Sequence, residues 1–127
     1  MDVKSVLDDV KNIDRAISDT EAPVMTLYRK CDPELDFSGL KKATPGENFR
    51  FPSYMSTSVS KESAYAFTHP GEVVEIRFPG GKGGGTFLGD MSEWTTEYEF
   101  LLKRNTLFRL SSVPKVTNKR YVLEVVL

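Results

Sequence analysis

The first seventeen residues carry apolar side chains at helical spacing. Steps of three and four residues place them on one face of an α-helix, with charged and polar side chains between them. The segment 18–23 is polar and ends in Pro23, which stops the helix. The pattern therefore predicts an amphipathic N-terminal helix, whose apolar positions are Val3, Val6, Leu7, Val10, Ile13 and Ile17.

After this helix, the pattern changes to short apolar runs separated by turn residues, which is typical of strands. A serine-capped segment at 60–67 predicts a short helix, and the stretch 31–46 predicts a loop with a helical turn. Gly80 to Gly85 lacks the residue order of a phosphate-binding loop, and we expect a flexible hairpin connection. The predicted strands are 24–29, 54–58, 73–78, 86–88, 97–102, 106–113 and 121–127. One helix followed by a β-rich body predicts the α+β class.

Composition limits the size of the protein and its partners. With 127 residues, 39% of them hydrophobic and 28% charged, the chain can bury one core, so we expect a single domain over residues 1–127. A net charge of -1 without a long basic run disfavours nucleic acid as the main partner. No apolar run approaches the length of a membrane helix, so we expect no membrane association. One cysteine and one histidine exclude a disulfide framework and an ordinary structural zinc site, and we expect no metal.

Two carboxylates stand two residues apart at Glu97 and Glu99, within a predicted strand. Alternate side chains share a face of a strand, so about 6 to 7 Å separates the two carboxylate stems. This is close to the separation at which glycoside-cleaving enzymes use one acid to steady a developing cation and another to handle a proton. The same pattern also fits a solvated strand face, with Tyr98, Phe100 and Leu102 pointing inward.

Two upstream motifs accompany this pair. Arg29 ends the first predicted strand, and the next predicted strand carries Ser56-Thr57-Ser58. Arginine, then Ser-Thr-Ser, then Glu-x-Glu, in this order and spacing, resembles the arginine-serine-glutamate branch of the mono-ADP-ribosyltransferases over nearly the whole chain. The resemblance implies an ADP-ribosyltransferase-like β-sandwich core of two small sheets with an N-terminal helix.

The resemblance also implies roles for individual residues. Arg29 binds the pyrophosphate of NAD, Ser56 orients the catalytic Glu99, and Thr57 and Ser58 hold the strand and the turn after it, so all five belong to the expected NAD site. Glu99 stabilises the cation that develops at the nicotinamide ribose, and Glu97 acts on the acceptor. Lys30, which also belongs to the expected NAD site, stands where the family usually has a glycine that lets the backbone approach the nicotinamide amide closely.

Two further segments complete the expected site. Phe67, like Tyr65, lies where related proteins place an aromatic against the nicotinamide ring, although a short amphipathic helix would bury the same side chains. Trp94, Thr95 and Thr96 match the family's loop that covers NAD and selects the target, so they are candidate substrate-recognition residues; the indole of Trp94 either clasps a partner or packs under the loop.

The function implied is NAD-dependent mono-ADP-ribosylation of a target protein, with arginine as the first acceptor to test. The resemblance implies a small toxin domain that belongs to a larger delivered bacterial protein and acts in the cytoplasm of a target cell, with a cognate immunity protein in the producer. A phage-encoded host modifier is the other setting. Hydrolysis of NAD, an inert binding module with the same fold and an RNA acceptor remain alternatives.

Overall fold

The predicted amphipathic helix is confirmed. A computed structural model describes residues 3–30, 37, 40–60, 73–88, 99–117 and 120–127, and its helix α1 covers Val3–Asp19. Ile17 is buried, Val10 and Ile13 are half-buried, and Lys11 and Arg15 face solvent, as the apolar stripe requires. Thr20 follows the last helical residue, and its hydroxyl donates to the carbonyl of Ala16 at 2.6 Å and is hydrogen-bonded to the hydroxyl of Thr86. Among the described residues, no helix has the length and apolar content needed to cross a bilayer.

Eight strands follow the helix in the described part of the chain. They are β1 (Glu21–Lys30), β2 (Asn48–Phe51), β3 (Met55–Ser58), β4 (Val73–Lys82), β5 (Gly85–Phe87), β6 (Glu99–Leu102), β7 (Thr106–Ser112) and β8 (Val122–Val126), with a 3₁₀ turn at Leu40–Lys42. Their order in the sheet is β2-β7-β8-β4-β1-β3-β6-β5, in which β4 and β8 are parallel and the other neighbours are antiparallel. The expected α+β class is therefore confirmed.

The two small sheets expected for this fold are joined at one point. Within the described ranges, Tyr28 and Ser58 form the one residue pair between β1 and β3, whereas β1 and β4 pair over nearly their full lengths. The sheet thus consists of a five-stranded half, β2 to β1, and a three-stranded half, β3 to β5. Aromatic contacts connect the halves, because Phe78 of β4 meets Phe100 of β6 with ring centroids 5.2 Å apart.

The core contains apolar side chains from both halves and from the 37–40 segment. Phe37 packs edge-on against Phe108 at 5.5 Å. Ala22, Leu27, Phe37, Leu40, Met55, Val74, Ile76, Phe78, Phe100, Leu102, Phe108, Leu110, Leu123 and Val125 form this cluster. Because these residues alternate along their strands, the intervening residues lie on the opposite face, where polar groups are tolerated.

The sequence pattern misses one strand, and one expectation about the strands needs correction. The sequence pattern does not predict strand β2, because its four residues Asn-Phe-Arg-Phe are too short to show a clear period. The expected hairpin at 80–85 is also wrong, because residues 80–82 continue β4, where Gly81 pairs with Ala22, and β5 pairs with β6 instead. The early start of β1 at Glu21 provides the backbone partners that this glycine-rich segment needs. The predicted helix at 60–67 lies outside the described residues except for its first residue.

Candidate active site

Glu99 begins β6 directly opposite Ser58 of β3. Side chains that face each other in an antiparallel pair have Cβ atoms roughly 5 Å apart. Phe100, the next residue, is fully buried in the core, whereas Glu99 is half-buried. Strand alternation therefore places the Glu99 carboxylate and the Ser58 hydroxyl together on the face that points away from the core.

Ser56 lies on this same face, two residues before Ser58, and it is exposed. Its partner on β6 is Leu101, so Glu99 is its diagonal neighbour, with Cβ atoms roughly 7 to 8 Å apart. A glutamate side chain can cover much of that distance. The Ser58 hydroxyl is already used in the following turn, where it donates to the carbonyl of Ser60 and accepts from its N–H at 3.0 Å. Of the two serines, Ser56 is thus the more available to a carboxylate or a ligand.

Thr57 points in the opposite direction, into the core. It is 3% exposed, and its hydroxyl donates to the carbonyl of Phe100 at 2.6 Å. A buried hydroxyl needs such a partner, and this bond ties the middle of β3 to the residue after Glu99. Thr57 therefore holds the two strands in register and does not face the site.

Arg29 reaches the site from the end of β1. It is half-buried, and its Nη1 donates to the carbonyl of Ser56 at 2.8 Å. The guanidinium carbon also lies 5.8 Å from the centre of the Phe51 ring. Lys30, the last residue of β1, is exposed and pairs with Val73 of β4. The central strand thus places a cation beside β3, next to the backbone of Ser56.

A second polar cluster fastens α1 to this region. The hydroxyl of Tyr54, the residue before β3, donates to one carboxylate oxygen of Asp14, and Arg104 donates to the other. The Tyr54 hydrogen bond is the main reason why the pKa of Asp14 lies below 3.8. Burial, followed by the Asp14 carboxylate, raises the pKa of Tyr54 to about 12. The helix is therefore held to the start of β3 and to the turn after β6.

The structure brings together some of the predicted site residues. Arg29, Ser56, Ser58 and Glu99 converge where β1, β3 and β6 run side by side. The contact between Phe51 and Arg29 is not predicted from the sequence. The sequence shows that an aromatic residue stands five positions before Ser56, but it does not show that this ring meets Arg29. Glu97, Phe67, Trp94, Thr95 and Thr96 lie outside the described residues. No group of three or more metal-ligating side chains occurs within the described ranges.

Sequence comparison identifies the family. A family profile described as ADP-ribosyltransferase exoenzyme matches residues 1–127. The chain belongs to this family. It is accordingly an NAD-dependent mono-ADP-ribosyltransferase, as the motifs predict. No curated protein matches the chain in sequence.

Solved structures of bacterial ADP-ribosyltransferases share the fold of this transferase. Plx2a, an ADP-ribosyltransferase toxin from Paenibacillus larvae, superposes with a TM-score of 0.75 at 19% identity, covering 98% of this chain and 72% of that chain. The catalytic domain of VahC from Aeromonas hydrophila gives a TM-score of 0.70 at 23% identity, with 97% and 71% covered. BECa, an ADP-ribosylating toxin of a binary enterotoxin of C. perfringens, was solved with NADH and gives 0.68 at 16% identity, with 98% and 36% covered. At these identities the likeness establishes the fold.

The donors at the site suit the co-substrate of this transferase. NAD carries two phosphates, which a planar guanidinium binds through paired N–H groups, and ribose hydroxyls, which bond to serine and carboxylate oxygens. Arg29, Ser56 and Glu99 provide these groups on three adjacent strands. These hydrogen-bond donors and acceptors therefore fit a dinucleotide.

Proposed function

We propose that the enzyme transfers ADP-ribose from NAD to arginine side chains of a target protein, and that Arg29, Ser56, Glu97 and Glu99 carry the reaction. The pairing of Ser58 with Glu99, beside the contact of Arg29 with Ser56, is the observation that supports this site most directly. The proposal treats residues 1–127 as one catalytic domain, in keeping with the core that both halves of the sheet share.

Each residue has a distinct task in this proposal. Arg29 binds the pyrophosphate, with Lys30 beside it at the strand end, while Thr57 and Ser58 hold β3 in place. The Ser56 hydroxyl orients Glu99, whose fixed negative charge stabilises the positive charge that develops at the ribose. As the bond from the ribose C1 to nicotinamide breaks, a new bond forms from C1 to the acceptor nitrogen. Glu97 takes the proton of that nitrogen, which a charged guanidinium must lose before it can act as a nucleophile.

The remaining predicted residues are assigned by resemblance. Phe67 would contact the nicotinamide ring, and Trp94, Thr95 and Thr96 would contact the target protein. Phe67 follows the Ser56-Thr57-Ser58 motif in the chain, and the segment 94–96 directly precedes Glu97. The complete site would therefore include residues from the segments next to both motifs.

The proposed biological role is that of a toxin domain that a larger bacterial protein delivers into a target cell. The family description as an exoenzyme and the toxin relatives support this role. A producer would then need an immunity protein. Expression of the wild-type domain in bacterial cytosol should slow growth, whereas Glu99→Ala should not. Equal growth of the two strains, despite NAD turnover by the purified wild type, would remove support for a bacterial cytosolic target.

Two labels on NAD separate the steps of the reaction. The purified domain is incubated with bacterial lysate; label in the nicotinamide measures total NAD cleavage, and label in the adenosine measures transfer to protein. Glu99→Ala should abolish both signals, because the charge that stabilises the cation is lost. Glu97→Ala should abolish transfer and retain part of the hydrolysis, since water can replace the acceptor. Tandem mass spectrometry of the labelled band then identifies the modified residue.

Glu21→Ala is the matched control. Glu21 is an exposed strand glutamate at the start of β1, and it makes no side-chain hydrogen bond or ion pair among the described residues. This variant should retain both activities. Normal transfer by Glu99→Ala would refute the assigned role, and cleavage without labelled protein in the wild type would favour an NAD glycohydrolase.

A further inference from the structure

We propose that Phe51 is a positioning residue that holds the Arg29 guanidinium in the orientation needed to bind the phosphates of NAD. The inference deepens the proposed function and depends on the assignment of Arg29 in it. The guanidinium carbon lies 5.8 Å from the centre of the Phe51 ring, which is within the range of a cation–π contact.

Arg29 benefits from such support because of its place in the fold. It is the penultimate residue of β1 and is half-buried, and an arginine side chain has many rotamers to lose when it binds a ligand. The hydrogen bond from Nη1 to the carbonyl of Ser56 fixes one corner of the guanidinium. The face of the Phe51 ring at 5.8 Å restricts the plane of the guanidinium and so helps to set the direction in which its N–H groups point.

The Phe51 ring is itself well fixed. Its backbone pairs with Thr106 at the end of the β2–β7 ladder. Its ring packs against Phe37 with centroids 6.1 Å apart, and Phe37 packs edge-on against the fully buried Phe108. A row of three aromatic rings therefore runs from the core to Arg29. Because the inner members are buried, the outer ring acts as a rigid platform for the cation.

This arrangement separates binding from bond cleavage. Phe51 is on β2 and contacts Arg29, whereas Ser58 and Glu99 are on β3 and β6 and are held by their own ladder. Loss of the ring should therefore weaken NAD binding and leave the cleavage step intact. A cation–π contact at a partly exposed site corresponds to an affinity change of about 3- to 10-fold.

The test compares Phe51→Leu with Phe51→Tyr and Phe49→Leu in steady-state NAD turnover. We expect Phe51→Leu to raise the KM for NAD about 3- to 10-fold with kcat within about twofold of wild type. Phe51→Tyr keeps the aromatic face and should have the wild-type KM. Phe49 is the matched control, because it is also half-buried, lies two residues earlier on the same strand and packs against the core. Phe49→Leu should keep the wild-type KM.

A merely structural role for Phe51 would give a different result. Loss of stability lowers the fraction of active enzyme, which reduces the apparent kcat without raising KM. Phe51→Leu and Phe49→Leu should lower the melting temperature by similar amounts, so only contact with Arg29 explains a KM change in one of them. An unchanged KM in Phe51→Leu, or an equal rise in Phe49→Leu, overturns the inference.

An Arg29→Met background distinguishes the two proposals. With the charge gone, adding Phe51→Leu should change kcat/KM by less than about twofold, because the ring no longer has a cation to orient. If Phe51→Leu lowers kcat/KM by its full amount in this background, the inference is wrong and the role of Arg29 stands. If Arg29→Met alone leaves kcat/KM unchanged, the assignment of Arg29 fails and the inference fails with it.

Discussion

Replacing Tyr54 by phenylalanine tests how strongly α1 is fastened to the strand that carries the serines. The change removes one hydroxyl, which donates to the Asp14 carboxylate and lies 3.3 Å from the carbonyl of Val10. A hydrogen bond to a charged group contributes about 1.5 to 3 kcal/mol. Asp14 keeps its bond to Arg104, and its side chain is 39% exposed, so solvent screening reduces this contribution and we expect about 1 to 2 kcal/mol.

The expected loss of stability is large enough to measure. For a chain of this length, a change of 1 to 2 kcal/mol lowers the melting temperature by roughly 4 to 8 °C. Thermal unfolding followed by circular dichroism gives this value, and a double-mutant cycle with Asp14→Asn isolates the coupling between the two side chains. If Tyr54→Phe costs less than about 0.5 kcal/mol at neutral pH, or if the two changes are additive, the hydrogen bond does not fasten the helix.

The pH dependence of this difference has a defined sign. The folded-state pKa of Asp14 is lowered, so its contribution is present above its unfolded value of 3.8 and is lost as pH falls through the folded value. The pKa of Tyr54 is raised to about 12, so its contribution is present below pH 10 and is lost as pH rises from 10 towards 12. The stability gap between wild type and Tyr54→Phe should therefore be widest between about pH 5 and 9 and narrow on both sides. A gap that does not narrow as the pH falls below 3.8 and the carboxylate becomes protonated contradicts the proposed partner.

Two further substitutions test the strands behind the site. Thr57→Val should lower the free energy of unfolding, measured in urea, by about 1 to 2 kcal/mol, because the carbonyl of Phe100 loses the buried hydroxyl that donates to it. Thr57→Ser keeps the hydroxyl and should lower this free energy less. Equal losses in the two variants would mean that the hydrogen bond does not contribute to stability. Gly85→Ala should cost about 3 kcal/mol, because the new methyl group would lie 2.4 Å from the Phe100 ring and 2.6 Å from the carbonyl oxygen of Leu101. At Gly46, an added methyl group would meet no atom within 4 Å, but the φ of +101° strains any other residue, so Gly46→Ala should lower the free energy of unfolding by about 1 kcal/mol. A larger loss of stability at Gly46 than at Gly85 would contradict the packing argument.

The elements with a strong local signal can be predicted from the sequence. The apolar stripe of α1 and the runs that form β1, β4, β7 and β8 are long enough for their periodicity to identify them. Strand β2 escapes prediction because four residues do not establish a period. The glycines at 80 and 81 favour a turn by local preference, yet both belong to β4, in which Gly81 pairs with Ala22 of the neighbouring β1.

The candidate site shows the same division. Arg29, Ser56 and Glu99 can be named from the sequence, because motif order depends only on the chain and the resemblance supplies their roles. Their meeting depends on the β1–β3–β6 pairing, and the platform under Arg29 depends on how β2 packs across the core. Sequence by itself determined which chemical groups the protein has and the local periodicity around them. Tertiary structure alone decided which groups meet, because contacts between distant segments depend on strand register and on the packing of a shared core, and neither leaves a local pattern.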